Sequence, residues 1–463
     1  MAAARRSVQL DYTGCLSEAI GKAGLSRAEI ASACSKAERA RVALRKAIDK
    51  GTYGFDAALD DGKALQQSVA EARRLAVDAD TLIVIGIGGS ALGALALETA
   101  LSDRKRRLVV LDNVDPESVY RKLSGVDPSR AAVNVITKSG ETAETMANML
   151  VVLDWMEAKL GPEHVKRWTA TTDPAKGDLL KMAQRLKMPT LPLASNIGGR
   201  FSVLTPVGFV PAAFIGIDLD AVLDGARAMR EHCWSAKPAE NLGMVGAALL
   251  HLLATKKKRP IQVLMTYAEA LAQLTDWYCQ LWAESLGKAA HRPKKPGGKG
   301  SRAETGQTPV KAIGATDQHS QMQLYMEGPH DKVVTFFEVE HFRHDVIIPR
   351  LHTDVDSLGY LGGMTLGELL NKEKRGAELA LTGAKRPNFT YRLPEVSPHT
   401  VGELMYLFEF QTALSGELYD VNAFDQPGVT AGKVNTYALM GRQGYEKEAA
   451  ALAKTLPKKP ARL

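Results

Sequence analysis

The 463 residues, 45% hydrophobic and 24% charged, suit a folded chain of two or three domains and exclude a disordered or fibrous protein. A formal net charge of +7 fits an ordinary basic surface, a nucleic-acid partner or an enzyme that draws in anionic substrates. The four cysteines (Cys15, Cys34, Cys233, Cys279) form no CxxC and no close pair, which excludes a disulfide framework and predicts free thiols.

Residues 16–50 have the pattern of an amphipathic helix, with Ser26 a good N-cap for a segment ending near Gly51. The chain then repeats strand, loop and helix. Strands are expected at 81–85, 108–111, 131–137 and 168–172, with helices at 94–101 and 144–160. A second series follows, with helices at 219–232 and 244–254, a strand at 261–265, a helix at 268–284 and a strand at 333–339. The C-terminal third is expected to be helical, most clearly at 402–418. Short buried strands alternating with helices predict α/β architecture, two doubly wound parallel-sheet domains with helical N- and C-terminal segments. The expected division is a helical segment at 1–55 packing on the second domain, a first domain at 56–225 and a second at 226–463. Residues 291–311, rich in Lys, Gly and Pro, are expected to form a mobile loop, and the tail KKPARL to be loose. No apolar region follows Arg5 and Arg6. The longest apolar stretch, 205–219, is interrupted by Pro206, Pro211 and Asp218 and is too short to span a bilayer, so a cytoplasmic protein without a membrane partner is expected.

Two loops suit a phosphate. GIGGSALG at 86–93 joins a strand to a helix, so its glycines let backbone N–H groups and a helix N-terminus approach an anion. Gly86, Gly88 and Ala91 also satisfy G-x-G-x-x-A, and Asp112 ends the next strand, which keeps an NAD-dependent dehydrogenase open as an alternative. Ser90, however, adds a hydroxyl that a dinucleotide turn does not require. A later strand ends in Thr137-Lys138-Ser139-Gly140-Glu141-Thr142, again before a helix. With Gly89, the hydroxyls of Ser90, Thr137, Ser139 and Thr142 could hold phosphate oxygens with Lys138 nearby, although Ser139 or Thr142 could equally cap the helix.

Further segments are chemically unusual. Arg200 directly follows Gly198 and Gly199, where an unencumbered backbone lets a guanidinium and N–H groups converge on a ligand. Glu284, in LWAESLGK, is expected near a helix C-terminus, where the dipole disfavours a carboxylate unless its basicity is used. His319 lies in GATDQHSQMQ, and Lys433 ends FDQPGVTAGK after Gln426. Taken singly, each is as readily a structural histidine or a solvated lysine. His341 and His344, followed by Asp345, lack a convincing further ligand, and no metal or other cofactor is expected.

Together these segments resemble the phosphoglucose isomerase family from about residue 55 to 440, in its shorter bacterial form. NIGGRFSVLTPVGF and GELYDVNAFDQPGVTAGK resemble its two signature stretches, with GIGGSALG, ITKSGETAET, AESLGK and GATDQHSQMQ in matching order. The resemblance implies two sugar isomerase (SIS) domains, a homodimer with shared active sites, no nucleic-acid partner, and interconversion of glucose 6-phosphate and fructose 6-phosphate in glycolysis and gluconeogenesis. It implies Glu284 as the base, Arg200 as the stabiliser of enediolate charge, and His319 (from the partner subunit) and Lys433 as the ring-opening pair. Gln426 and Gly199 would hold sugar oxygens. Glu141 departs from the small hydroxyl residue common in the family and puts phosphate affinity in question. A non-catalytic sugar-phosphate sensor would need neither Glu284, His319 nor Lys433.

Overall fold

Continuous β-branched and apolar runs, each closed by a polar or glycine turn, generate strands buried on both faces. The computed structural model describes residues 8–291 and 302–455, which fall into two units, one through Ala423 and one from Phe424. After a short strand β1 (Gln9–Asp11), the first sheet contains β2 (Thr81–Ile85), β3 (Arg107–Leu111), β4 (Ala131–Ile136), β5 (Trp168–Thr172) and β6 (Thr190–Pro192). Its order is β3-β2-β4-β5-β6, and every pair is parallel. β2, β4 and β5 are buried throughout. Met149, Val152 and Met156 of the Ala143–Leu160 helix complete the core on one face.

The second sheet begins with β7 (Ile261–Thr266). A separate antiparallel pair follows, β8 (Ala289–His291) and β9 (Arg302–Glu304), before β10 (Thr308–Ile313), β11 (Lys332–Val339) and β12 (Asn388–Leu393). Its order is β1-β12-β11-β7-β10, parallel except for β1. The doubly wound α/β class expected from the strand–helix alternation is therefore present twice.

Several local expectations are corrected. Residues 302–304 and 308–313 are strands rather than loop, and residues 292–301 lie outside the described residues, as does the tail KKPARL. β10 tolerates Pro309 because it is a terminal strand, where a missing N–H leaves only an edge position unpaired. β12, within a region expected to be helical, is a buried strand. The helix expected at 16–50 is broken: Ser17–Ile20 ends at Gly21, at a φ of 61°, and the long helix starts only at Arg27. Ser26 caps that helix as expected, accepting from Glu29 N–H while Glu29 accepts from Ser26 N–H. This Arg27–Asp49 helix packs on the Leu242–Thr255 and Pro398–Tyr419 helices. Residue 225, the expected end of the first domain, lies inside the Leu219–Ser235 helix. The second unit comprises a short turn at Pro427–Val429 and helices Thr430–Leu439 and Glu446–Thr455, with Arg442 stacked over Tyr437 and Tyr445.

The Leu219–Ser235 and Pro398–Tyr419 helices meet backbone to backbone. A Cβ at Gly402 would lie 1.9 Å from the Val222 carbonyl oxygen, whereas one at Gly376, on the Leu366–Gly383 helix, would meet nothing within 4 Å. Gly402→Ala is therefore expected to lower stability by about 1–3 kcal/mol. Gly376→Ala is expected to be neutral or to stabilise by up to about 1 kcal/mol through helix propensity. Urea midpoints of the two variants check the contrast.

Candidate active site

In the first sheet the chain runs from β2 to β3 on one side and then crosses back to β4 on the other. The crevice between the carboxyl ends of β2 and β4 is thus a switch point, the place where ligands bind in such sheets. The Gly86–Ser90 and Thr137–Thr142 loops flank it. The first loop is sealed against other parts of the protein. A Cβ on Gly89 would stand 2.2 Å from the Gly199 carbonyl carbon and oxygen, so only glycine lets the two loops touch. Gly88 has a φ of 57°, and its missing Cβ faces the Gln280 amide at 2.7 Å.

The second loop presents hydroxyls at a helix start. Thr142 is the N-cap of the Ala143–Leu160 helix, yet its side chain makes no cap hydrogen bond. Its Oγ1 lies 3.4 Å from Oγ1 of the buried Thr137, which also accepts from Gly140 N–H at 3.3 Å. The exposed Ser139 accepts from Glu141 N–H at 3.2 Å. The helix after the first loop, Leu92–Leu101, likewise has no side-chain cap, and the partly buried Ser90 ends the turn before it. Two helix N-termini thus bring backbone donors to the crevice without a side-chain cap. The capping alternative for Thr142 is not what its side chain does.

Lys138 takes a different direction. Its ammonium donates to the carbonyl oxygens of Ser195 at 2.6 Å and Ile197 at 2.9 Å, and burial pushes its pKa down. Glu141 is exposed, and its charge helps keep Lys181 protonated, behind the larger effect of Asp178.

Arg200 is the buried centre of the site, 3% exposed. Its Nε donates to Ser285 Oγ at 2.7 Å and its Nη2 to the Ala423 carbonyl at 2.6 Å, and its Nη1 lies 3.5 Å from Glu284 Oε2. Glu284 sits in the last turn of the Ala272–Leu286 helix and keeps a quarter of its side chain open to solvent. Buried Trp277, Tyr278 and Trp282 fix that helix. A partly exposed carboxylate beside a buried guanidinium can take up and release a proton next to a fixed positive charge.

The remaining expected residues are not among these partners of Arg200 and Glu284. His319 ends the short turn Thr316–His319 after β10. It is exposed, with no hydrogen-bond or ion-pair partner among the described residues. Lys433 (on the Thr430–Leu439 helix) and Gln426 belong to the second unit, and both are exposed. Gly199 is exposed on the arginine loop.

Two residues escaped the sequence reading. Gln280, one helical turn before Glu284, donates to its Oε2 at 3.2 Å and faces Gly88; the i,i+4 spacing was the available signal. Ser285, fully buried, orients Arg200, and nothing in the sequence marks it. Asp112, the acid of the dehydrogenase alternative, is paired with Lys122 at 3.2 Å, and the first loop is packed against protein on two sides. Among the described residues no group of three or more potential metal ligands occurs; Asp345 accepts the N–H groups of Val346 and Gly367 instead. Ser285→Ala would remove the 2.7 Å hydrogen bond to the buried Arg200 Nε, a loss of about 1–3 kcal/mol that urea unfolding should reveal.

The family model described as phosphoglucose isomerase matches residues 67–450. A glucose-6-phosphate isomerase of Carboxydothermus hydrogenoformans is 42% identical over 96% of both chains. One from Rubrobacter xylanophilus is 48% identical over 82% of this chain and 87% of its own. Among solved structures, a hypothetical protein of Thermus thermophilus superposes with a TM-score of 0.84 at 38% identity, covering 94% of this chain and 99% of its own. A glucose-6-phosphate isomerase of Chlamydia trachomatis gives 0.71 at 25%, covering 85% and 77%. With matches of this extent, the chain belongs to the phosphoglucose isomerase family.

Proposed function

We propose that this chain interconverts glucose 6-phosphate and fructose 6-phosphate through a cis-enediol, with Glu284 moving the proton. The observation that carries the reading is the Arg200–Glu284 pair, 3.5 Å apart, beside two uncapped helix N-termini at the switch point. The Glu284 carboxylate abstracts the proton on C2 of the open-chain aldose, and the electron pair shifts onto the C1 carbonyl oxygen. Arg200 stabilises the negative charge that develops there. A proton passes from the C2 hydroxyl to the C1 oxygen through the cis-enediol. The electron pair left on the C2 oxygen then forms the C2 carbonyl as the protonated Glu284 delivers its proton to C1, giving the ketose. No redox cofactor enters this balance.

Gln280 holds the Glu284 carboxylate by its hydrogen bond. Ser90, Thr137, Ser139 and Thr142, with the loop N–H groups, bind the phosphate, while Gly199 and Gln426 bind sugar oxygens. Ring opening falls to Lys433 and to His319. Its exposure and lack of partners among the described residues suit a histidine donated to a second copy, so the active form is a homodimer with shared sites. The two α/β sheets correspond to two sugar isomerase domains, and the setting is cytoplasmic sugar metabolism, glycolysis and gluconeogenesis. No helix among the described residues is long and apolar enough to cross a membrane.

Glu284→Gln keeps the shape but accepts no proton, so kcat in a coupled fructose 6-phosphate assay should fall by about two to four orders of magnitude. Comparable turnover would reassign the base. Ser139→Ala and Thr142→Ala should each raise KM more than they lower kcat, because the phosphate keeps its charge throughout the reaction. Each lost hydrogen bond to the dianion costs about 1.5–3 kcal/mol, or one to two orders of magnitude in inhibition by inorganic phosphate. Glu141→Thr should leave that inhibition unchanged, since its carboxylate is exposed and acts on Lys181.

A further inference from the structure

We propose that Lys138 is a positioning residue: it ties the phosphate loop to the arginine loop, so that phosphate occupancy sets the placement of Arg200. The inference rests on the isomerase reading above. An ammonium has three donors. Two of the three on Lys138 are already committed, to the carbonyl oxygens of Ser195 and Ile197, across fifty-odd residues of sequence. Those carbonyls belong to the segment that leads directly into Gly198-Gly199-Arg200.

Both ends of this link are otherwise well held. On the phosphate side, Gly140 abuts the Leu179 backbone, and Thr172 Oγ1 donates to the Thr137 carbonyl at 2.8 Å. On the arginine side, Asn196 donates to the Gly51 carbonyl at 2.9 Å and accepts, through its own carbonyl, from Gly54 N–H at 3.1 Å. Gly89 backs onto Gly199. Lys138 is the side chain that passes from one held segment to the other. The nearby Asp173 charge favours its ammonium. When a dianion draws on the hydroxyls and N–H groups of residues 137–142, any adjustment of that loop is carried by Lys138 to the Ser195–Ile197 carbonyls and on to the guanidinium. Binding energy at the phosphate then appears as correct placement at the reacting carbons, which raises kcat rather than affinity.

The test uses Lys138→Met, Arg200→Lys and the double variant in the full chain, with kcat, KM and the inhibition constant for inorganic phosphate measured for each. Lys138→Met is expected to lower kcat about ten- to a hundredfold, the scale of a misplacement remote from the chemistry, with the phosphate inhibition constant moving less than about threefold. In the Arg200→Lys background the Lys138 penalty should largely vanish, because residues acting as one unit are non-additive. Lys138→Arg, which keeps charge and donors, should recover most of kcat. It also serves as the readout if the methionine variant does not fold, in which case an unrecovered kcat counts against the proposal. A tenfold or larger rise in the inhibition constant with kcat unchanged would make Lys138 a phosphate ligand and overturn it. Fully additive losses in the double variant would overturn it as well. Absence of isomerase turnover in the unmodified chain would instead overturn the underlying reading.

Discussion

A buried guanidinium is the constraint around which this protein is organised. Removing a permanent positive charge from water costs several kcal/mol unless acceptors surround it. Arg200 meets that demand with a hydroxyl, a main-chain carbonyl and a carboxylate from three residues distant in sequence from it: Ser285, Ala423 and Glu284. Two of these lie on the helix that follows β7 of the second sheet, and Arg200 lies just beyond the last strand of the first. Satisfying one side chain therefore joins the two sheets at the candidate site. The same burial keeps the charge at high effective strength, since water is excluded from around it.

Backbone contact fixes the rest. Gly89 against the Gly199 carbonyl allows two loops from different strands to approach more closely than a side chain would permit, and Gly88 leaves room for the Gln280 amide of the Ala272–Leu286 helix. The phosphate loop leaves its hydroxyls turned toward one another rather than toward the helix they precede. A site of this kind stands on the ends of buried strands and of the helices that follow them. Division of labour follows. In the proposed reaction, groups that contact the phosphate would bind ground and transition states alike, while Glu284 and Arg200 would meet charge only as it moves.

Much of this was legible in the sequence because it depends on local grammar. Residues 81–85 and 131–136 are strands because β-branched runs bounded by glycine or hydroxyl turns have few other choices. Their alternation with helices dictates a parallel sheet, and a parallel sheet puts the following loops on one edge. The glycine and hydroxyl patterns of those loops then mark a phosphate crevice, and Ser26 with Glu29 marks a helix start. The resemblance supplied the family and the roles proposed for Glu284 and Arg200.

Contacts between distant segments were decided only by the tertiary structure. Residues 308–313 look like a loop, with Pro309 and Lys311 in a polar stretch, and become β10 because β7 offers an edge for them to pair with. Lys138 looks like a phosphate ligand beside its loop, yet its donors are drawn by two carbonyls nearly sixty residues away. Ser285 carries no signal at all beside Glu284, and becomes the acceptor of a buried arginine once the two sheets meet. The sequence determined which segments form strands, helices and anion-accepting turns, since backbone preference and hydrophobic period act over a few residues. Which polar group answers which was left to the fold, because a hydrogen bond is set by positions in space that separation along the chain does not encode.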